Sequence, residues 1–181
     1  MSVTGLNTVL ARRRTGTWVF RMGGRRTDWT WPLFLSATAL GSTAPVLDLA
    51  GALHRISPLD DVAGHVAGVV IGLGGAALVF LAQVQMGASW RIGLDPEERT
   101  DLVTAGLFGL VRNPIYTGML ATIVGIALLV PNVVALIAVA DLVTAVELQV
   151  RRVEEPYLAL VHGDAYRAYL GRVGRFVPGL G

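Results

Sequence analysis

The chain has 181 residues, 53% hydrophobic and only 15% charged, with a mean hydropathy of +0.58 and no cysteine. Soluble domains carry about a quarter charged residues, so a soluble enzyme, a disulfide-built secreted domain and a disordered chain are all disfavoured. Thiolate nucleophiles, zinc–thiolate sites and iron–sulfur centres are excluded outright.

All 15 basic residues are Arg. Six of them (Arg12, Arg13, Arg14, Arg21, Arg25 and Arg26) fall in residues 1–30 against one acid, Asp28. The rest of the chain has nine Arg against twelve acids, which returns the net charge to +2. A basic leader beside apolar segments fits membrane orientation better than nucleic-acid binding. Neither a nucleic-acid partner nor a metal is expected, and the oligomeric state is open.

The first apolar run, Pro32 to Leu53, contains one charged residue, Asp48. It exceeds the roughly 20 residues that cross a hydrocarbon core and is too long for the apolar region of a cleaved signal. A span over 32–53 is therefore expected. Leu6 to Phe20 could add a membrane-associated element, although three consecutive Arg argue against a full span.

The second span is expected over 62–86. It carries Gly64, Gly68, Gly72 and Ala76 at intervals of four, a small-residue stripe that lets a neighbouring helix approach closely. Gly72-Leu73-Gly74-Gly75-Ala76-Ala77 formally matches a dinucleotide fingerprint, but no strand precedes it and no βαβ unit surrounds it. Helix packing is the better reading.

The third block, Ile115 to Leu148, has only Asp141 and Glu147 charged and is split by Pro131-Asn132. Two pieces of about 16 and 17 residues reach roughly 24–26 Å each, short for a bilayer. A tight helical hairpin over 115–130 and 132–150 is expected, its second helix running on into Arg151 and Arg152. The Arg-rich leader, the 87–113 loop and the tail then share one side, which the positive-inside rule makes cytoplasmic.

Asn113-Pro114 opens the third span with a favoured N-cap followed by a favoured first residue. A helix N-terminus of this kind, beside Arg112, can hold an anion, or it can be simply a well-made start. Counting about 100° per residue from Asp141, Thr144, Glu147, Arg151, Glu154 and Glu155 share less than half of the helix circumference with it. Ionisable groups at membrane depth face a cavity or a partner. Pro156 is expected to bend or end the helix. Leu158, Val161, Ala165, Tyr169 and Val173 then recur in an interfacial amphipathic pattern. The Asp95-Pro96-Glu97-Glu98 turn reads as solvated.

Taken jointly, these motifs are familiar. Leu102-Val103-Thr104-Ala105-Gly106-Leu107-Phe108 leads into Arg112-Asn113-Pro114-Ile115-Tyr116-Thr117-Gly118. Glu154-Glu155-Pro156-Tyr157-Leu158 follows, and then Gly163, Tyr166, Tyr169 and Arg175-Phe176-Val177-Pro178. The ordered set, with Met86 to Gly93 before it, resembles the isoprenylcysteine carboxyl methyltransferase family and its phospholipid methyltransferase relatives over about residues 62–178. The resemblance implies an all-α, polytopic membrane bundle of about four transmembrane helices, including the hairpin. It implies an Arg-rich leader (1–30) and one membrane domain (31–181) that ends in a cytoplasmic cofactor segment (151–178).

It further implies an S-adenosylmethionine-dependent methyltransferase acting on a lipophilic small molecule or lipid, with carboxyl O-methylation as the leading candidate. By the same resemblance Arg112, Asn113, Tyr116 and Gly118 would line the cofactor. Glu154 or Glu155 would take its ammonium, and Leu158 would pack on the adenine side. The animal enzymes have His where this chain has Asn113, which cannot titrate and so cannot serve as a general base.

Tyr116, Tyr157 or Tyr166 could face a sulfonium through cation–π contact. Arg151 or Arg152 could fix an acceptor carboxylate, which is already ionised at neutral pH. An amine or thiol acceptor would need a base, for which Glu147 or Glu154 is the candidate. An NADPH-dependent reductase of the sterol-reductase type and a non-catalytic membrane protein of the same fold are the rival readings.

Overall fold

The computed structural model describes residues 30–87 and 101–181. The Arg-rich leader, the Leu6–Phe20 element, the motif beyond Gly87 and the Asp95–Glu98 turn lie outside them. Among the described residues every regular element is helical. These are α1 (Trp31–Leu49), α2 (Val62–Met86), α3 (Pro114–Leu129), α4 (Val133–Gln149) and α5 (Glu155–Leu170), with 3-10 turns at Ser57–Leu59 and Gly106–Gly109. A π-helical turn, Val150–Glu154, joins α4 to α5. Two of the helical segments, Val62–Met86 and the continuous Val133–Leu170, are long and apolar enough to cross a membrane.

The chain divides into two compact units. One comprises residues 30–77 together with Gly118–Leu148. Here α2 and α3 meet through glycines. A Cβ on Gly125 would lie 2.5 Å from the Gly72 Cα and 2.7 Å from the Gly68 carbonyl oxygen, and one on Gly75 would lie 2.6 Å from the Gly118 carbonyl oxygen. The glycines that meet α3 are thus Gly68, Gly72 and Gly75, and Gly64 of the expected stripe is not among them. A strict step of four drifts off a 3.6-residue helix, which lets Gly75 share this face. Gly64 instead accommodates the start of α2, where its amide donates to Asp61 Oδ1 at 2.6 Å.

The hairpin turn forms at Pro131-Asn132. Asn132 is buried, and its Oδ1 accepts from the Ala135 amide at 2.9 Å, capping α4; the Pro131 carbonyl accepts from the Ile56 amide. Ala44, Ala127, Val130 and Ala135 form a small core around this end. The helix predicted over 32–53 stops at Leu49, because Gly51 at φ 69° turns the chain away. Asp48 is neutralised by a two-pronged bond from Arg55 (3.0 and 2.6 Å), which also reaches Asp60. Val66, Val70 and Leu73 of α2 remain exposed; a bilayer supplies the apolar surroundings that such a surface needs.

The other unit comprises Leu78–Thr117 and Gln149–Gly181 among its described parts. Pro156 does not end the helix. It sits in the first turn of α5, where a missing N–H is tolerated. The preceding π turn widens the backbone where the proline ring would press on the carbonyl four residues back. A π turn advances each residue by less than an α-helix does, so the 100° count does not carry past Gln149. The sharp bend falls at Gly163 (φ 54°, ψ −124°), a conformation only glycine adopts without strain.

Candidate active site

The site-bearing residues of the second unit converge from three places: the loop entering α3, the π turn with the start of α5, and the C-terminal tail. The tail is hydrogen-bonded to the loop along its backbone. Gly174 and Arg175 carbonyls accept from the Arg112 and Asn113 amides at 2.8 and 3.1 Å, and the Asn113 Nδ2 also donates to Arg175 O. Thr117 Oγ1, one turn into α3, donates to Phe176 O at 3.0 Å. The Arg112 and Asn113 amides, just before the start of α3, are therefore taken up by the tail. The loop is fixed from behind by Gln85, whose Oε1 accepts from Leu107 N at 2.8 Å, and by Tyr169, whose hydroxyl donates to Phe108 O at 2.6 Å.

Arg112 is buried. Its Nη1 donates to the carbonyls of Leu170 and Val173, and its Nη2 to Glu155 Oε1 at 3.1 Å. Arg175 also grips Glu155, through Nε to Oε1 (2.7 Å) and Nη2 to Oε2 (3.0 Å). Glu155 is thus the hub of a three-residue ion cluster tying helix, loop and tail together. Burial acts to raise its carboxyl, but the bonds and charges of the two guanidiniums outweigh it and hold the group below the ordinary carboxylate value.

Glu154 is bonded quite differently. Its Oε1 accepts from the Tyr116 hydroxyl at 2.5 Å and from Gln149 Nε2 at 3.2 Å, both uncharged donors. Among the described residues, nothing donates to its Oε2 and no cation pairs with it. The apolar stretch of α4 ends at Gln149, so this carboxylate stands just beyond it. Desolvation raises the Glu154 carboxyl above its ordinary value against these two bonds, and the neighbouring Glu155 charge adds to the rise.

The remaining predicted residues fall as follows. Leu158 is half-buried on the first part of α5. Arg151 and Arg152 are exposed on the π turn. Gly118 and Glu147 belong to the other unit; Gly118 O accepts from Thr122 Oγ1 there. Asp141, also in that unit, meets Ser36 Oγ at 2.7 Å. Sequence reasoning missed Gln149, a polar residue at the end of an apolar run, and the pairing of Arg175. Tyr166, one of the three tyrosines expected as candidates to face a sulfonium, is only 2% exposed.

The sequence model of the phospholipid methyltransferase family matches residues 63–165, more than half of the chain. The chain belongs to that family. No curated protein matches it. Its fold is similar to that of the eukaryotic intramembrane Ras methyltransferase, an isoprenylcysteine carboxyl methyltransferase, with a TM-score of 0.61 at 19% identity. The match covers 97% of this chain and 61% of that one, so the chain spans about three fifths of its structural relative. The protein is a helical membrane protein of a methyltransferase family, as its motifs led one to expect.

Proposed function

We propose that this chain transfers a methyl group from S-adenosylmethionine to a lipophilic acceptor that enters from the bilayer. The observation that supports this most is the bonding of Glu154: a carboxylate held by neutral donors, with one oxygen unspent and no cation of the described residues paired with it. Such a group fits an ammonium ion, and burial strengthens that attraction over what it would be in water. The residues present therefore suit the amino-acid end of the methyl donor, and the cofactor when bound supplies an activated methyl on a sulfonium.

The chain's own task is then to bind, orient and exclude water. Tyr116 and Gln149 fix the Glu154 carboxylate in one position. Arg112 and Glu155 hold the tail against the loop so that Asn113 and Tyr116 keep their places, with Leu158 assigned to the adenine side. We assign Arg151 and Arg152 to an anionic acceptor, which their exposure on the π turn supports; a carboxylate acceptor is already ionised and calls for no base. Glu147 is kept as the base for an amine or thiol acceptor. The same reading has four spans, both termini and the cofactor segment cytoplasmic, with the positive-inside rule as its ground.

Incubating the purified protein with membrane extract and methyl-labelled S-adenosylmethionine tests this reading. Label is expected in an organic-soluble component of the extract. Label in no component, with folded protein, would contradict it.

A further inference from the structure

Asp141 is the ninth of the 17 residues of α4, so it stands about 12 Å from either end of that helix. The segment is long and apolar enough to cross a membrane. Asp141 is half-buried, and its Oδ2 accepts from Ser36 Oγ of α1 at 2.7 Å. Among the described residues no cation pairs with it. Asp48, the acid of α1, is treated differently: Arg55 grips it at 2.6 Å. A carboxylate at membrane depth is costly unless it meets a counter-charge. Ser36 is an exchangeable partner, because its hydroxyl also has the Leu33 carbonyl at 3.1 Å. A stronger donor arriving from outside would not leave Ser36 unbonded.

The surface beside Asp141 says what kind of donor fits. On a helical count, Ala39 and Thr43 lie within about 60° of Ser36 on α1, and Ala140 and Thr144 within about 100° of Asp141 on α4. All four are exposed. Thr43 and Thr144 turn their hydroxyls back onto the Ala39 and Ala140 carbonyls, each at 2.8 Å. The face is therefore made of small, self-satisfied side chains, which let another helix approach closely. A lipid keeps its charged headgroup at the interface, whereas a spanning helix can hold a cation at mid-depth. A second copy of the chain brings none from its spans: it has no Lys, and no Arg lies in α1, α2, α3 or α4.

We propose that the α1–α4 face around Asp141 docks a transmembrane helix of a partner protein, one that carries a Lys or Arg midway along its span and pairs it with the Asp141 carboxylate. This assignment stands apart from the methyl-donor reading and does not depend on it.

The test uses energy transfer between the labelled full chain and labelled model peptides in phosphatidylcholine vesicles. The peptides are a Leu-Ala span with one central Lys and the same span with a central Leu. The Lys peptide is expected to bind the wild type about tenfold more tightly than it binds Asp141→Asn, while the Leu peptide binds both alike. Equal binding of the Lys peptide to the two folded proteins overturns the proposal, and so does an equal loss for the Leu peptide. Ser36→Ala is the second variant. It removes the internal partner and should keep or strengthen binding of the Lys peptide; a loss matching that of Asp141→Asn would mean that the pair serves only the packing of α1 on α4. Displacement of the Lys peptide by equimolar oleylamine would make the occupant a lipid amine, and loss of chain-to-chain transfer in Asp141→Asn without peptide would make it a second copy. Either result overturns the proposal.

Discussion

Glu154 and Glu155 are neighbours in sequence with opposite bonding: Glu155 is gripped by two guanidiniums, and Glu154 is bonded by a tyrosine hydroxyl and an amide. The backbone geometry explains the division. At the junction of a π turn and an α-helix, consecutive side chains leave the axis in different directions, so one carboxylate reaches the tail and the other Tyr116. On the proposed function, Glu155 serves stability and its neighbour Glu154 serves ligand binding.

Glu155→Ala should therefore loosen the tail. It leaves Arg112 buried with one ion partner fewer, a change worth about 2–3 kcal/mol when a largely buried pair is broken. A fall of several degrees in melting temperature is expected, together with faster hydrogen exchange at the Arg112, Asn113 and Arg175 amides. Unchanged exchange at those amides would show that Glu155 does not hold the tail.

The two carboxylates should also separate in pH. Glu155 lies below its ordinary value of 4.5, so its stabilising pairing is complete above that value and is lost only as pH falls through the depressed one. Glu154 lies above 4.5, so its ammonium-binding form is depleted earlier as pH falls. S-adenosylhomocysteine affinity is expected to drop on acidification while the tail amides remain protected. Simultaneous loss of both would contradict the division, and Glu154→Gln should abolish the acid-side loss of affinity.

The α2–α3 glycines give a contrast that needs no ligand. Gly125→Val would drive a side chain into the Gly72 backbone and should destabilise the protein by about 2–3 kcal/mol. A methyl group on Gly74 would meet nothing within 4 Å, so Gly74→Ala should be neutral or stabilising by about 0.5–1 kcal/mol. Thermal unfolding in detergent reads both, and equal effects would mean that the two helices do not meet at Gly125.

NADPH should bind poorly. Arg112 and Arg175 of the ion cluster are already committed to Glu155, and the unspent oxygen of Glu154 repels a phosphate. A thermal shift is expected with S-adenosylhomocysteine and not with NADPH; the reverse would favour the reductase reading.

Much of this architecture was legible in the residues. The apolar runs, the Pro131-Asn132 turn and the small-residue stripe each follow from local chemistry, and the helical elements lie close to where these signals put them. What was hidden depends on the π turn and on the tail. Nothing in Val150 to Glu154 announces an extra residue in the turn, so the different partners of Glu154 and Glu155 do not follow from a helical count carried past Gln149. Arg175 finds Glu155 across 20 residues of sequence, a separation that periodicity cannot see. Tyr166 stands among polar neighbours, which announce neither its burial nor the backbone bend at Gly163.

The central claim is that Glu154 receives the ammonium of the methyl donor. Calorimetric titration of S-adenosylhomocysteine into wild-type protein and Glu154→Gln tests it most directly. One site per chain is predicted for the wild type, weakened about 10- to 100-fold in the variant with an unchanged melting temperature for the unliganded protein. Equal affinity in the two folded proteins would contradict the account.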